Sequence, residues 1–154
     1  MNNLPPLIIT TPALPKSKFQ VPWKWLVVNV VIYFLCLVLP AIYLDNEDVW
    51  LGAHVLLIGW LGVLKGQFGW FANPLWLISM ICLLLRLRIT TIVVAFLAVL
   101  VGFTSLSLIG TEIPKNEAGV GGSLIVSSFG PAWNVWLSAL ATPGISAIWL
   151  KKST

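Results

Sequence analysis

The sequence predicts an all-α fold: a polytopic transmembrane helical bundle of four spanning helices plus a short re-entrant or fifth helix. Composition is the first ground for this. Hydrophobic residues make up 58% of the 154-residue chain and charged residues 9%, where soluble domains carry roughly 25% charged residues. The second is length, because apolar runs of about twenty residues recur, and a helix of that size is what crosses a hydrocarbon core. The third is the placement of charge. The basic residues sit at the ends of apolar runs and form no stripe, which is a topology signal rather than a nucleic-acid footprint. The net charge of +4 therefore implies no nucleic-acid partner.

Residues 1–22 hold Pro5, Pro6, Pro12, Pro15 and Pro22. Proline removes a backbone donor and breaks helices, so this stretch reads as an irregular cytoplasmic arm. The first apolar run, 25–43, follows Lys16, Lys18 and Lys24. It is too long for a typical cleaved signal core and no small-residue cleavage motif follows it, so it reads as a retained anchor. Trp23 and Trp25 at one end, and Tyr43 and Trp50 at the other, are the aromatic residues expected at headgroup level.

The stretch 50–88 is too long for one crossing and must break. Asn73-Pro74 is the expected break, since Asn suits a helix N-cap and Pro the first helical position. Two topologies follow. If 50–64 re-enters and 68–86 crosses, Lys16, Lys18, Lys24, Arg86, Arg88, Lys151 and Lys152 lie on one side, with Lys65 and Lys115 on the other. If both halves cross, the basic residues split almost evenly. The bias of Lys and Arg toward the cytoplasm favours the first arrangement, with both termini cytoplasmic. The remaining spans are 90–109 and 131–150, joined by an external loop, 111–130, and followed by a tail, 151–154. Gly119, Gly121 and Gly122 make that loop a flexible connection, and its Leu124-Ile125-Val126 patch suits the headgroup layer or a short strand. Pro143-Gly144 should kink the last span. The whole of 23–150 reads as one bundle.

Candidate chemistry is sparse. No ionisable residue falls inside the clean spans 25–43, 90–109 and 131–150, whereas proton and ion pathways need such residues. His54, the single histidine, has no second histidine or spaced carboxylate to complete a metal site, and reads as structural or interfacial. Asn73 either caps its helix or orients a polar ligand. Ser105, Ser107 and Ser138 lack an oriented base, and Cys36 and Cys82 sit in apolar runs as inert thiols. Asn29 and Asn134 fall near span ends, within reach of water. No catalytic residue, cofactor or metal is expected.

Packing signals are richer. Ala95, Ala98, Gly102 and Ser105 recur at helical spacing, placing small residues on one face where backbones approach closely. Gly59, Gly62, Gly66 and Gly69 repeat that spacing if their stretch is helical. Each seam suits internal packing or a partner.

The segment Gly59-Trp60-Leu61-Gly62, then Trp70-Phe71-Ala72-Asn73-Pro74-Leu75 and an apolar run ending at Arg86 and Arg88, resembles a group of small uncharacterised multi-span membrane proteins of bacteria. The resemblance covers about a third of the chain. It implies a bacterial inner membrane and no particular activity.

The expected function is non-catalytic: helix packing with a membrane partner, as an accessory subunit of a membrane complex or an immunity protein against a membrane-active toxin. The alternative is a homo-oligomeric channel or carrier for a small neutral or anionic solute, with His54 and the 50–74 break as its constriction. The partners expected are the lipid bilayer and either another membrane protein or a second copy of the chain.

Overall fold

The computed structural model of the protein describes residues 23–114 and 123–149. The proline-rich arm, Lys16, Lys18, Lys115, Glu117, the loop glycines from Gly119 to Gly122 and the tail with Lys151 and Lys152 lie outside the described residues.

Helix α1 (Trp23–Val38) opens the fold and is followed by a hairpin of β1 (Pro40–Leu44) and β2 (Val49–Leu51). Pro40 ends the helix because it lacks an N–H and pushes the preceding residue toward extended backbone. The hairpin turns through Asp45-Asn46-Glu47-Asp48. There Asn46 Oδ1 accepts the Asp48 N–H at 3.2 Å, and Glu47 takes a left-handed φ of 68°. Short polar side chains of this kind hold turns by bonding nearby backbone.

A short helix α2 (Gly52–Ile58) leads into a 3-10 turn, Gly59–Lys65, that ends at Gly66 in a left-handed conformation, φ 75°. Glycine meets that φ without steric cost. A second 3-10 turn, Gly69–Phe71, then runs into α3 (Ala72–Leu84). Helix α4 (Arg88–Phe103) continues as a 3-10 turn over Thr104–Leu108. Strands β3 (Glu112–Pro114) and β4 (Ser123–Phe129) precede α5 (Pro131–Trp149).

The reversal between α3 and α4 is compact. Leu87 N–H donates to Cys82 O at 2.9 Å and Arg86 N–H to Leu83 O at 3.1 Å, with Arg86 at φ 56°. This is a Schellman closure with arginine where glycine is usual.

The four long helices alternate in direction. Asn29 near the start of α1 meets Ser146 near the end of α5, Gly144 faces Ala95 of α4, and Gly69 ahead of α3 faces Ser105 beyond α4. Helix α5 contacts α1, α3 and α4 and is the centre of the bundle. Its buried residues are Ala132, Ala139, Leu140, Pro143, Gly144, Ser146 and Ala147. Small side chains let three neighbours close on it.

At one end lies an antiparallel four-stranded sheet in the order β2-β1-β4-β3. Ile42 opposes Phe129 and Tyr43 opposes Ser128, with a bulge before Leu44. Alternation sends Leu124 and Val126 of β4 inward and Ser123 and Ile125 outward. Ile42, Leu44, Leu124 and Val126 form a second apolar cluster, bordered by Trp50, Val55, Ile113 and Phe129.

These observations correct the sequence expectation. The fold is not an all-α bundle of four spanning helices. It contains the sheet, and among the described residues one helical stretch, Arg88–Leu108, is both long and apolar enough to cross a membrane. The run 25–43 divides at Pro40 into helix and strand, because a continuous apolar run is equally compatible with either. The 16 residues of α1 rise about 24 Å, short of a hydrocarbon core of about 30 Å. The 13 residues of α3 rise about 20 Å. Helix α5 is long at 19 residues, yet its central position fills it with small and polar side chains that lower its hydropathy. It continues as helix through Pro143. Leu124-Ile125-Val126 lies in β4, the short strand that was one of its two expected settings.

Candidate functional site

Asn73 stands at the meeting point of three helices. Its Oδ1 accepts the Tyr33 hydroxyl of α1 at 2.9 Å and the Trp136 indole N–H of α5 at 2.8 Å. Its Nδ2 donates to Trp70 O at 2.9 Å, and Trp70 Nε1 in turn donates to Leu56 O at 2.8 Å. Two donors on one carbonyl oxygen use both lone pairs and fix which way the amide faces. Tyr33 also stacks on Trp76, with ring centroids 4.0 Å apart and planes 13° from parallel.

Local sequence explains the placement. Leu26, Asn29, Tyr33 and Cys36 are the buried residues of α1, spaced three and four apart, so they form the helix's inward stripe. Asn73 does not cap α3. The helix begins at Ala72 after Phe71 with no side-chain cap bond, and the Asn73 amide bonds back to a carbonyl instead. Pro74 falls in the first turn, where its missing N–H costs no helical bond.

Beside this node is a cavity of about 280 Å³ lined by Tyr33, Trp70, Asn73, Pro74, Trp76 and Leu77. The polar atoms that Tyr33, Trp70 and Asn73 bring to it are already paired within the protein. Trp76 Nε1 is buried without a hydrogen-bond partner. The arrangement ties helices together and offers no poised nucleophile, acid or base.

The remaining sequence candidates scatter. His54 lies exposed on α2 and makes none of the hydrogen bonds that join Asn73 to its neighbours, and no cluster of metal-ligating side chains occurs among the described residues. Gly59, Gly62, Gly66 and Gly69 do not share a helical face, because their stretch is 3-10 and turn. Gly59 abuts the Trp70 ring, Gly62 abuts Gln67, Gly66 faces open space and Gly69 abuts Ser105. Ala95, Ala98, Gly102 and Ser105 do share one face and are all buried. Helix α5 covers them: Gly144 lies on Ala95, Leu140 and Leu137 lie on Gly102, and the Trp133 indole donates to Ser105 Oγ at 2.9 Å.

Asn29 is the largest departure from the sequence reading, which placed it within reach of water. It is 0% exposed. Its Nδ2 donates to Trp25 O at 2.6 Å and Ser146 Oγ at 3.2 Å, while its Oδ1 has no partner. Sequence reasoning also passed over Tyr33, Trp70 and Trp136. A signal for one pair was present: Asn29 and Tyr33 are polar groups one turn apart in a run otherwise apolar.

Comparison with protein-family models, with curated proteins and with solved structures returns no significant match.

Proposed function

We propose that this chain is a non-catalytic membrane protein that acts by packing against a membrane partner, as an accessory subunit of a membrane complex or as an immunity protein against a membrane-active toxin. The supporting observation is that the helices expose many large apolar side chains while they bury several polar ones in an otherwise apolar core. Asn29, Ser79, Thr91 and Ser146 are wholly buried, while Phe34 and Phe96 are each 61% exposed, along with Val31, Val38, Leu57 and Ile89. Water as solvent sorts residues the other way. A helix that is apolar all round belongs in a protein core or in lipid, and just 28% of the most apolar window of Arg88–Leu108 is buried inside the protein. Lipid is the surrounding that this surface fits.

The small-residue seam of α4 is already covered by α5, so it is not the partner's face. The peripheral helix α1, which leans chiefly on α5, presents Val27, Val31, Phe34, Leu35 and Val38 outward. That apolar face is the one a partner helix would meet. The saturated hydrogen bonding around Asn73 supports a packing role over a chemical one.

Extraction of the full chain in several mild detergents tests this. A second polypeptide, or a second copy, should travel with it through size-exclusion chromatography. A solitary monomer under every mild condition would overturn the partner, and release into buffer without any amphiphile would overturn the membrane.

A further inference from the structure

We propose that the cavity between α1 and α3 is a binding site for one acyl chain of a bilayer lipid, entered sideways past Leu77. The inference rests on the membrane reading above and adds a particular lipid-binding site to it.

The cavity follows from how the helices meet. Small residues let α5 approach α4 closely, with Gly144 on Ala95, but α1 and α3 meet through rings. Tyr33 stacks on Trp76 with centroids 4.0 Å apart, and its hydroxyl donates to Asn73 Oδ1. The distance between two helices is set by the side chains at their contact. This ring pair therefore props α1 away from α3, beside a space of about 280 Å³. Tyr33 and Trp76, each 8% exposed, form its inner wall, and Leu77, 55% exposed, stands at its outer rim. From that rim Leu77, Ile81 and Leu84, all exposed, continue along α3 at spacings of four and three, an apolar track on one helix face. The cavity thus opens onto the surface that the membrane reading gives to lipid.

Wall chemistry selects the occupant. The side-chain polar atoms of Tyr33, Trp70 and Asn73 have partners within the protein. Trp76 Nε1 has none, yet it is buried and gives water no hold. Water in such a place needs several polar partners, and an apolar cavity of about 150 Å³ stays dry while it accepts benzene. A solute recruited from water would need converging polar groups to orient it. An acyl chain needs neither, and against the rings it supplies the dispersion contacts that the cavity lining otherwise lacks.

The test uses the full chain in phosphatidylcholine vesicles doped with a phosphatidylcholine that carries a photoactivatable diazirine in one acyl chain. Irradiation yields a carbene that inserts into the groups it touches, and peptide mass spectrometry maps the adducts. Labelling at Tyr33 and Trp76 should exceed that at Met80 and Leu83 by roughly tenfold or more, since carbene insertion requires contact. All four residues are buried, but Met80 and Leu83 are not among those that line the cavity. Leu77→Trp, which narrows the rim, should cut labelling at Trp76 roughly fivefold and leave labelling at lipid-facing Phe96 unchanged. If Phe34 and Phe96 are labelled while Tyr33 and Trp76 stay at the level of Met80, this inference is overturned and the membrane reading stands. Undiminished labelling of Trp76 in Leu77→Trp would overturn it as well. Labelling at none of these positions would overturn both.

Discussion

Tyr33 and Trp136, on helices α1 and α5, donate to the same oxygen, Asn73 Oδ1, at 2.9 and 2.8 Å. One carboxamide thereby fixes the spacing of three helices. Asn73→Ala should leave both donors unpaired and cost roughly 1–3 kcal/mol. Reversible unfolding in mixed micelles measures the loss, and altered near-ultraviolet dichroism should report disturbance of the Tyr33–Trp76 stack. An unchanged midpoint would show that the node contributes no stability.

Asn29 should behave differently, although it is more deeply buried. Its two donated bonds are offset by an Oδ1 that has no partner. Asn29→Leu, close in volume, should therefore lie within about 1 kcal/mol of wild type, since it removes the stranded oxygen and Ser146 Oγ keeps its bond to Thr142 O. A loss as large as that of Asn73→Ala would show that the Ser146 contact outweighs the stranded oxygen.

The covered face of α4 predicts a steric asymmetry. Ala98 is 0% exposed and Phe96, two residues earlier, points outward. Ala98→Leu should cost about 1–3 kcal/mol through overpacking, while Phe96→Leu should change stability by less than about 0.5 kcal/mol. Comparable effects from the two substitutions would mean that α5 does not close on this seam.

Solvent assignment can be read by thiol chemistry. Cys36 and Cys82 are both buried and free, so a water-soluble maleimide should label them after denaturation and not before. Phe34→Cys and Phe96→Cys place thiols at exposed positions that lipid would shield. In vesicles they should resist the reagent, whereas Glu47→Cys in the hairpin turn should react at least tenfold faster. Rapid labelling at Phe34→Cys in vesicles would place that face in water.

Several features were legible in particular residues before any coordinates. The stripe Ala95, Ala98, Gly102, Ser105 reads as one helical face because its spacing is that of a helix and its stretch has no competing breaker. The glycines from Gly59 to Gly69 carry the same spacing, yet their stretch folds as 3-10 and turn, and spacing is informative only after the backbone is known. Residues 25–43 illustrate the same limit. Leu39 and Ala41 differ little in polarity, so the change from helix to strand at Pro40 is decided by β4 waiting to pair with β1, a partner 87 residues downstream for Ile42 with Phe129. Asn73 stood out as a polar residue at a break, but its role depends on Tyr33 and Trp136 arriving from elsewhere in the chain.

By itself the sequence determined how much apolar surface this protein carries, where its charges fall along the chain and which face of α4 is narrow. Those are properties of composition and of local period, and they need no knowledge of neighbours. Only the tertiary structure decided that a sheet closes one end, that α5 occupies the centre, and that Asn29 is sealed from solvent. Each of those depends on which distant segment arrives to pair or to pack, and the free energy of a buried contact belongs to both partners rather than to either one.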